Sequence, residues 1–332
     1  MILFFYIVIP VIISLLITVI YKNYFAKLDL PDNRSSHIRA TATSGGLGFV
    51  ITSIIFSLID IKINVHNTNL FFIACFPLAL IGFIDDRVNL SNKFRYLIQF
   101  LVVVIVLHIC INQTNTFWIQ YLNINHFFSL ILFILLILFG TGFINLINFM
   151  DGLDGLLACC SSITFLYLGF TEHQIYLVVF ASIIPFIYFN WTPAKIFMGD
   201  IGSTFIGGLI ISSIFASDTF SDLINLLLIN SPLILDSSTC LIRRKIKNHN
   251  IFKPHKLHLY QRLNQNGWKH SSVTIIYLIS TLVMAFSVII GINSIKVFSL
   301  LALVIVGIFL ENNFAISFNN SFENQNSIFN SK

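Results

Sequence analysis

Long apolar runs separated by short polar segments dominate the chain, and most runs have the length of membrane helices rather than of strands. A helix needs about 20 apolar residues to cross the hydrocarbon core of a bilayer, with about 17–25 common. We therefore predict an all-α, polytopic integral membrane protein. About eleven transmembrane helices are predicted, at 1–21, 45–61, 69–85, 96–112, 127–144, 155–170, 174–190, 203–216, 223–241, 273–291 and 295–311.

Composition and charge extend this prediction to topology. Only 10% of residues are charged, against roughly 25% in a typical soluble domain. All of the 19 lysines and arginines except Lys62 and Lys296 lie in alternate loops and the tail. The positive-inside rule then places the N-terminus outside and the C-terminus in the cytoplasm. The predicted cytoplasmic loops are 22–44, 86–95, 145–154, 191–202 and 242–272.

We expect one integral membrane domain over residues 1–311. The tail over 312–332 is rich in Asn and Ser and is predicted to be disordered.

Several aspartates border apolar runs on the predicted cytoplasmic side. A charged side chain within hydrocarbon costs at least about 2.5–3.5 kcal/mol, so such acids call for a functional hypothesis. Asp85 and Asp86 end the third predicted helix, where the helix dipole disfavours carboxylates. A bound cation would relieve this strain. The alternative is a solvated helix end neutralised by Arg87.

A second polar motif follows the fifth predicted helix and reads Asn145-Leu-Ile-Asn148-Phe-Met-Asp151-Gly-Leu-Asp154-Gly155. At helical spacing Asn145, Asn148 and Asp151 share one face, and the glycines allow backbone to approach a ligand closely. The alternative is a polar seam between helices.

A third motif precedes the eighth predicted helix and reads Phe197-Met-Gly199-Asp200-Ile-Gly202-Ser203. Asp200 could cap that helix or bind a metal, and the residues leave both interpretations open. Oxygen ligands without a Cys/His cage favour Mg²⁺, which Mn²⁺ could replace.

The basic loop 242–272 carries candidate anion-binding residues. Its first arginines and lysines fit an anchor for anionic lipid. His255, His258 and Arg262 would share one face if helical, and such a face suits phosphate oxygens. The histidine pair could instead hold zinc, although the sequence offers no evident third ligand. Arg39, in the first polar loop, is a further candidate anion contact, with a plain connector as the alternative.

These motifs, in this order, resemble those of the polyprenyl-phosphate N-acetylhexosamine-1-phosphate transferases (glycosyltransferase family 4). The run His255-x-x-His258-x-Tyr260-Gln261-Arg262 is more similar to the O-antigen-initiating branch than to the triple-histidine run of the phospho-MurNAc-pentapeptide translocases. The first loop departs from the family. Residues 40–46 lack both prolines and the arginine of the common Pro-Thr-Pro-Arg-Gly-Gly-Gly, for which Arg39 could compensate.

The resemblance implies transfer of an N-acetylaminosugar 1-phosphate from a UDP-sugar to undecaprenyl phosphate, with release of UMP, at the start of O-antigen or a related glycan. It implies Asp85 and Asp86 in catalysis and Asp86 and Asp200 as Mg²⁺ ligands. The substrate-binding residues that it implies are Asn148, Asp151, Asp154, His255, His258, Arg262 and Arg39.

The implied location is the bacterial inner membrane, among membrane lipids, with the site facing the cytoplasm. No nucleic-acid partner is expected, and a homodimer is left open. The alternative enzyme is the phospho-MurNAc-pentapeptide transferase of peptidoglycan synthesis. The non-enzyme alternatives are a lipid-linked-sugar flippase and a transporter, which would normally carry its acids near the bilayer midplane.

Overall fold

A computed structural model describes residues 4–30, 40–63, 68–112, 116, 118–119, 126–250 and 255–323. This part of the chain is helical apart from one short hairpin, so the predicted all-α class is confirmed. The helices are α1 (Phe4–Tyr24), α2 (Leu47–Ile63), α3 (Thr68–Val88), α4 (Asn92–Ile111), α5 (His126–Asn148), α6 (Leu156–Thr171), α7 (Ile175–Asn190), α8 (Asp200–Phe215), α9 (Phe220–Ile229), α10 (Ser231–Ile246), α11 (Leu259–Gln265), α12 (His270–Ile290) and α13 (Asn293–Asn313).

Every predicted membrane helix overlaps a helix of the structure. Within the described ranges, six helices are long and apolar enough to cross a membrane, namely α1, α3, α4, α5, α12 and α13. The bent pair α9 and α10 would make a seventh, and α6, α7 and α8 are apolar but shorter. The chain is therefore a multi-pass membrane protein, whereas eleven crossings and the orientation stay predictions.

The ninth predicted span is broken into α9 and α10, which meet at an angle of 76°. Asn230 lies at the break, where its side chain accepts a hydrogen bond from Thr164 Oγ1 at 3.0 Å and donates one to the Leu226 carbonyl at 2.9 Å. Pro232 lies in the first turn of α10, a position that tolerates its missing N–H. The bend brings α10 into contact with α11 and α12.

Helix α8 forms the centre of the bundle, because every residue from Ile201 to Phe215 is buried. A helix that is apolar all round is typical of such a position. Glycines let it approach α3 closely. A Cβ at Gly82 would lie 2.4 Å from the carbonyl carbon of Asp200, and a Cβ at Gly208 would lie 2.6 Å from the Leu78 side chain. The N-terminus of α8 thus meets the C-terminal end of α3.

The first loop is held against the segment that precedes α8. Strands β1 (Leu28–Asp29) and β2 (Thr41–Ala42) pair antiparallel, and Ala42 also bridges to Ile196. Gly45 N–H donates to the Phe197 carbonyl at 2.8 Å, and the next glycine makes the corresponding bond to residue 198. These bonds place residues 42–46 beside the two motifs that carry Asp86 and Asp200.

The start of the C-terminal tail is ordered. Residues 314–323 pack on the loop before α11, with Phe318 buried and residues 318–323 helical. The His249 ring stacks on Phe322 with ring centroids 3.6 Å apart. Aromatic side chains thus supply contacts for 314–323 that the Asn- and Ser-rich composition concealed, and the disorder of the tail stays a prediction.

Candidate active site

Asp86 lies where two helix ends meet. Its Oδ2 accepts a hydrogen bond from Ser44 Oγ at 2.6 Å, and its Oδ1 accepts one from the Asp200 backbone N–H at 3.0 Å. Asp200 is the first residue of α8, so the positive end of that helix dipole faces Asp86. The strain predicted for a carboxylate at the C-terminal end of α3 is partly relieved in this way.

Gly199 makes this approach feasible. Its φ is +76°, a conformation that side chains with a Cβ rarely adopt. A Cβ at this position would also lie 2.2 Å from Asp86 Oδ2. Both the backbone conformation and the contact therefore require glycine.

Arg95 of α4 bridges two of the acids, and sequence reasoning did not identify it as their partner. Its Nη1 lies 2.8 Å from Asp85 Oδ2, and its Nη2 lies 2.5 Å from Asp200 Oδ2. The other oxygen of Asp85 accepts the Leu90 N–H at 2.6 Å. Both oxygens of Asp85 are thus engaged by protein groups, while its catalytic role stays a prediction.

Asp151 lies in the loop that follows α5 and is half-buried. Among the described residues, none forms a hydrogen bond or an ion pair with its carboxylate. Burial, followed by the nearby charges of Asp200, Asp86 and Asp154, raises the pKa of Asp151 well above its ordinary value. An ionised Asp151 therefore needs a cation, and this clustering of perturbed acids is typical of functional sites.

Asn148 and Asp154 join the same region through contacts with other helices. Asn148 Oδ1 accepts a hydrogen bond from Ser203 Oγ of α8. Asp154 accepts the Ala194 N–H at 3.1 Å, and its other carboxylate oxygen lies 3.2 Å from His270 Nδ1. Both side chains therefore lie in the site's framework, and their substrate-binding roles stay predictions.

His255 and His258 lie next to the Asp151 loop, and not on one helical face as predicted. The pair precedes α11, which begins at Leu259, and the two rings stack with centroids 5.0 Å apart. The Phe149 ring centroid lies 5.9 Å from that of His258. Tyr260 Oη donates to the Phe149 carbonyl at 2.8 Å and so fixes the distance between the two segments.

Arg262, which was predicted to bind the diphosphate, donates to oxygens of the protein. Its guanidinium donates to the Leu257 carbonyl at 3.1 Å, to the Ile316 carbonyl at 3.0 Å and to Glu311 Oε1 at 2.9 Å. All three nitrogens of the guanidinium are engaged by carbonyl and carboxylate oxygens, which satisfy the same donors that a phosphate would. The substrate-binding role of Arg262 stays a prediction. Arg39 lies outside the described residues.

Comparisons with known proteins identify the family of this chain. A family model described as Glycosyl transferase family 4 matches residues 68–218, which carry Asp86, Asp151 and Asp200. A probable undecaprenyl-phosphate N-acetylglucosaminyl 1-phosphate transferase of Bacillus subtilis (strain 168) is 32% identical over 294 residues, 82% of this chain and 82% of the relative. The phospho-N-acetylmuramoyl-pentapeptide-transferase of Staphylococcus haemolyticus (strain JCSC1435) is 28% identical over 302 residues, 80% of this chain and 90% of the relative. This chain therefore belongs to glycosyl transferase family 4.

Proposed function

We propose that this protein transfers an N-acetylaminosugar 1-phosphate from a UDP-sugar to undecaprenyl phosphate and releases UMP. The observation that carries the proposal is the convergence of Asp86, Asp151 and Asp200 at the junction of α3 and α8, within the region that the family model matches. The activity for which the Bacillus subtilis relative is named supports it. Similarity to the staphylococcal enzyme makes phospho-MurNAc-pentapeptide transfer the second candidate.

A divalent cation fits the donor set of the aspartates. We assign Mg²⁺ to Asp86 and Asp200, as predicted from the sequence, and add Asp151 as a third candidate ligand. Support comes from the Asp151 carboxylate, which lacks a protein partner within the described residues and has its pKa raised by burial and three neighbouring acids. Mg²⁺ prefers oxygen ligands. When bound, it would neutralise charge on the phosphates, and Mn²⁺ could substitute.

The protein's own task in this reaction is to orient two anions. An oxygen of the lipid phosphate attacks the sugar-proximal phosphorus, and UMP leaves with the electrons of the broken P–O bond. A phosphate monoester has a second pKa near about 6, so at neutral pH the nucleophile is largely dianionic and needs no general base. His255 and His258 would contact the diphosphate, and Asn148 with Asp154 would position the uridine or ribose.

We place this chemistry at the cytoplasmic face of the bacterial inner membrane, at the start of O-antigen or a related surface glycan. The excess of Lys and Arg in the loops beside the aspartates supports that orientation. The isoprenoid chain of the acceptor would remain in lipid between the helices. Only its phosphate then has to reach the end of α3.

Product identification tests the function. The purified protein would be placed in lipid nanodiscs with undecaprenyl phosphate and Mg²⁺, and supplied separately with UDP-GlcNAc, UDP-FucNAc, UDP-QuiNAc or UDP-MurNAc-pentapeptide. We expect one of the first three donors to give a lipid product heavier by one N-acetylaminosugar phosphate. A product from the pentapeptide donor alone would establish the second candidate, and no lipid product from any donor would refute both.

The metal is tested in the same assay. We expect removal of divalent ions by EDTA to abolish transfer, and re-added Mg²⁺ or Mn²⁺ to restore it. Full activity after chelation would remove the divalent cation from the proposal.

A further inference from the structure

Asp236 is a buried carboxylate outside all four sequence motifs. It lies in α10, only 7% exposed. It accepts hydrogen bonds from Leu259 N–H at 2.7 Å, Tyr260 N–H at 3.1 Å and Tyr277 Oη at 2.6 Å. The first two donors belong to the opening turn of α11, whose unpaired N–H groups favour an anion. Asp236 therefore fixes where α11 begins, although it comes from another helix.

His258 faces the same carboxylate. Its Nδ1 lies 3.8 Å from Asp236 Oδ1, an ion-pair distance that is too long for a hydrogen bond. The side chain is buried at 2% exposure, and its ring stacks on Tyr260 with centroids 5.6 Å apart. Packing thus holds the His258 ring next to Asp236 and in contact with the rings of Phe149 and Tyr260.

The two histidines have opposite charge preferences. Burial favours a neutral His258, but Asp236 and Cys240 outweigh burial and raise the pKa of His258 to about 9. Burial, and then the charges of His258 and Arg244, lower the pKa of His255. These opposite shifts favour one imidazolium beside one neutral imidazole at neutral pH. The ionisable groups around it are Asp236, Cys240 and Arg244 of α10, Tyr260 of α11 and Tyr277 of α12.

We propose that Asp236 is a positioning residue that holds His258 in place as a permanent imidazolium, which donates to a phosphate oxygen of the UDP-sugar. Hydrogen bonds from a charged donor to phosphate are stronger than those from a neutral one. Asp236 offsets the cost of burying that charge before the substrate arrives. The identity of the ligand rests on the proposed function, whereas the charge of His258 does not.

Histidine ring ¹⁵N NMR tests the charge directly. The chain has nine histidines, and a His258→Gln variant assigns the signals of His258 by difference. We expect the wild-type protein to retain the His258 imidazolium at pH 8, and Asp236→Asn to convert it to the neutral ring. A neutral His258 in the wild-type protein at pH 8 would overturn the proposal, whether or not the protein shows transferase activity. If Asp236→Asn fails to fold, the wild-type and His258→Gln spectra still decide.

Donor kinetics supply the second test. In Asp236→Asn we expect the KM for the UDP-sugar at pH 8 to rise about tenfold, since a charged hydrogen bond becomes a neutral one. The defect should shrink as the pH is lowered and His258 regains its proton. Tyr277→Phe is the control, because it removes one hydrogen bond to Asp236 and keeps the carboxylate. Equal, pH-independent KM defects in both variants would reduce Asp236 to a support of the fold and refute the proposal.

Discussion

The aspartate cluster (Asp85, Asp86, Asp151 and Asp200) and the region around α11 differ in how far their charged side chains are paired with opposite charges. In the cluster, Arg95 is the one cation among the described residues that forms ion pairs, and it pairs with two of the four carboxylates, Asp85 and Asp200. Around α11, Asp236 faces His258 and Arg262 pairs with Glu311. Charges that are matched inside a protein hold its structure, and removing one partner is costly. Unmatched acids in a cleft instead indicate a site that awaits a ligand.

The largest effect that would separate the two regions is expected for Asp200→Asn. Loss of a metal ligand should remove several kcal/mol of transition-state stabilisation, or about 1000-fold in rate. The variant loses the ion pair with Arg95, but Arg95 keeps its pair with Asp85 and the negative charge of the cluster falls. The unfolding temperature in detergent should therefore stay near that of the wild type. Initial transfer rates measure the loss of activity, and thermal unfolding measures the stability of the variant. The exposed Asp218 provides the control variant Asp218→Asn. Near-normal transfer by Asp200→Asn would remove this residue from the metal site.

A Cβ at residue 199 should disturb the cluster through geometry alone. Gly199→Ala forces a positive φ on alanine and places its Cβ 2.2 Å from Asp86 Oδ2. Displacement of a catalytic group by about 1 Å can lower the rate about 100-fold. The matched control is Gly307→Ala in α13, where a Cβ meets no atom within 4 Å. Equal activities of the two alanine variants would show that the contact between Gly199 and Asp86 is unimportant.

At Arg262, substitution should affect stability before it affects binding. Arg262→Met removes three hydrogen bonds, which tie α11 to the Leu257 carbonyl, to Glu311 and to residue 316. Glu311 keeps its second partner, Arg243. We therefore expect a loss of about 2–3 kcal/mol in the free energy of unfolding, with the donor KM of the folded fraction unchanged. A raised KM at normal stability would return Arg262 to substrate binding.

The smallest effect is expected for Asp151→Asn without divalent ions. Because folding raises the pKa of Asp151, its ionisation destabilises the folded state, and this penalty grows as the pH rises from the ordinary carboxyl pKa of about 3.9 towards the raised value. The variant should therefore unfold a few degrees higher than the wild type at pH 7.5 while losing transfer activity. Calorimetry in EDTA measures the difference. A lower unfolding temperature would show that Asp151 is already compensated.

The sequence located the helices and the acids but not their partners. Apolar runs are long enough to identify membrane helices one by one, and the motifs placed Asp86, Asp151 and Asp200 at one face. The role of Asp236 was hidden because it lies within the apolar ninth span, and that of Arg95 because its contacts join three helices. Such pairs arise only from tertiary packing.

Two sequence-based predictions overlooked the same contact. Arg262 was expected to bind phosphate, and the tail was expected to be disordered. In the structure Arg262 donates to the Ile316 carbonyl of that tail, which aromatic side chains hold in place. Amino-acid composition reveals neither the hydrogen bond nor the aromatic packing, because both depend on tertiary contacts between the tail and the region around α11.

The nucleotide released during turnover tests the central claim most directly. Transfer of a sugar 1-phosphate at the aspartate cluster leaves the sugar-proximal phosphate of the donor on the lipid. We therefore expect the released nucleotide to be UMP, formed in equal amount to the lipid product. No UMP should form with Asp200→Asn. Chromatography of the reaction nucleotides distinguishes the outcomes. Release of UDP would mean that the sugar alone is transferred, and it would contradict the proposed reaction.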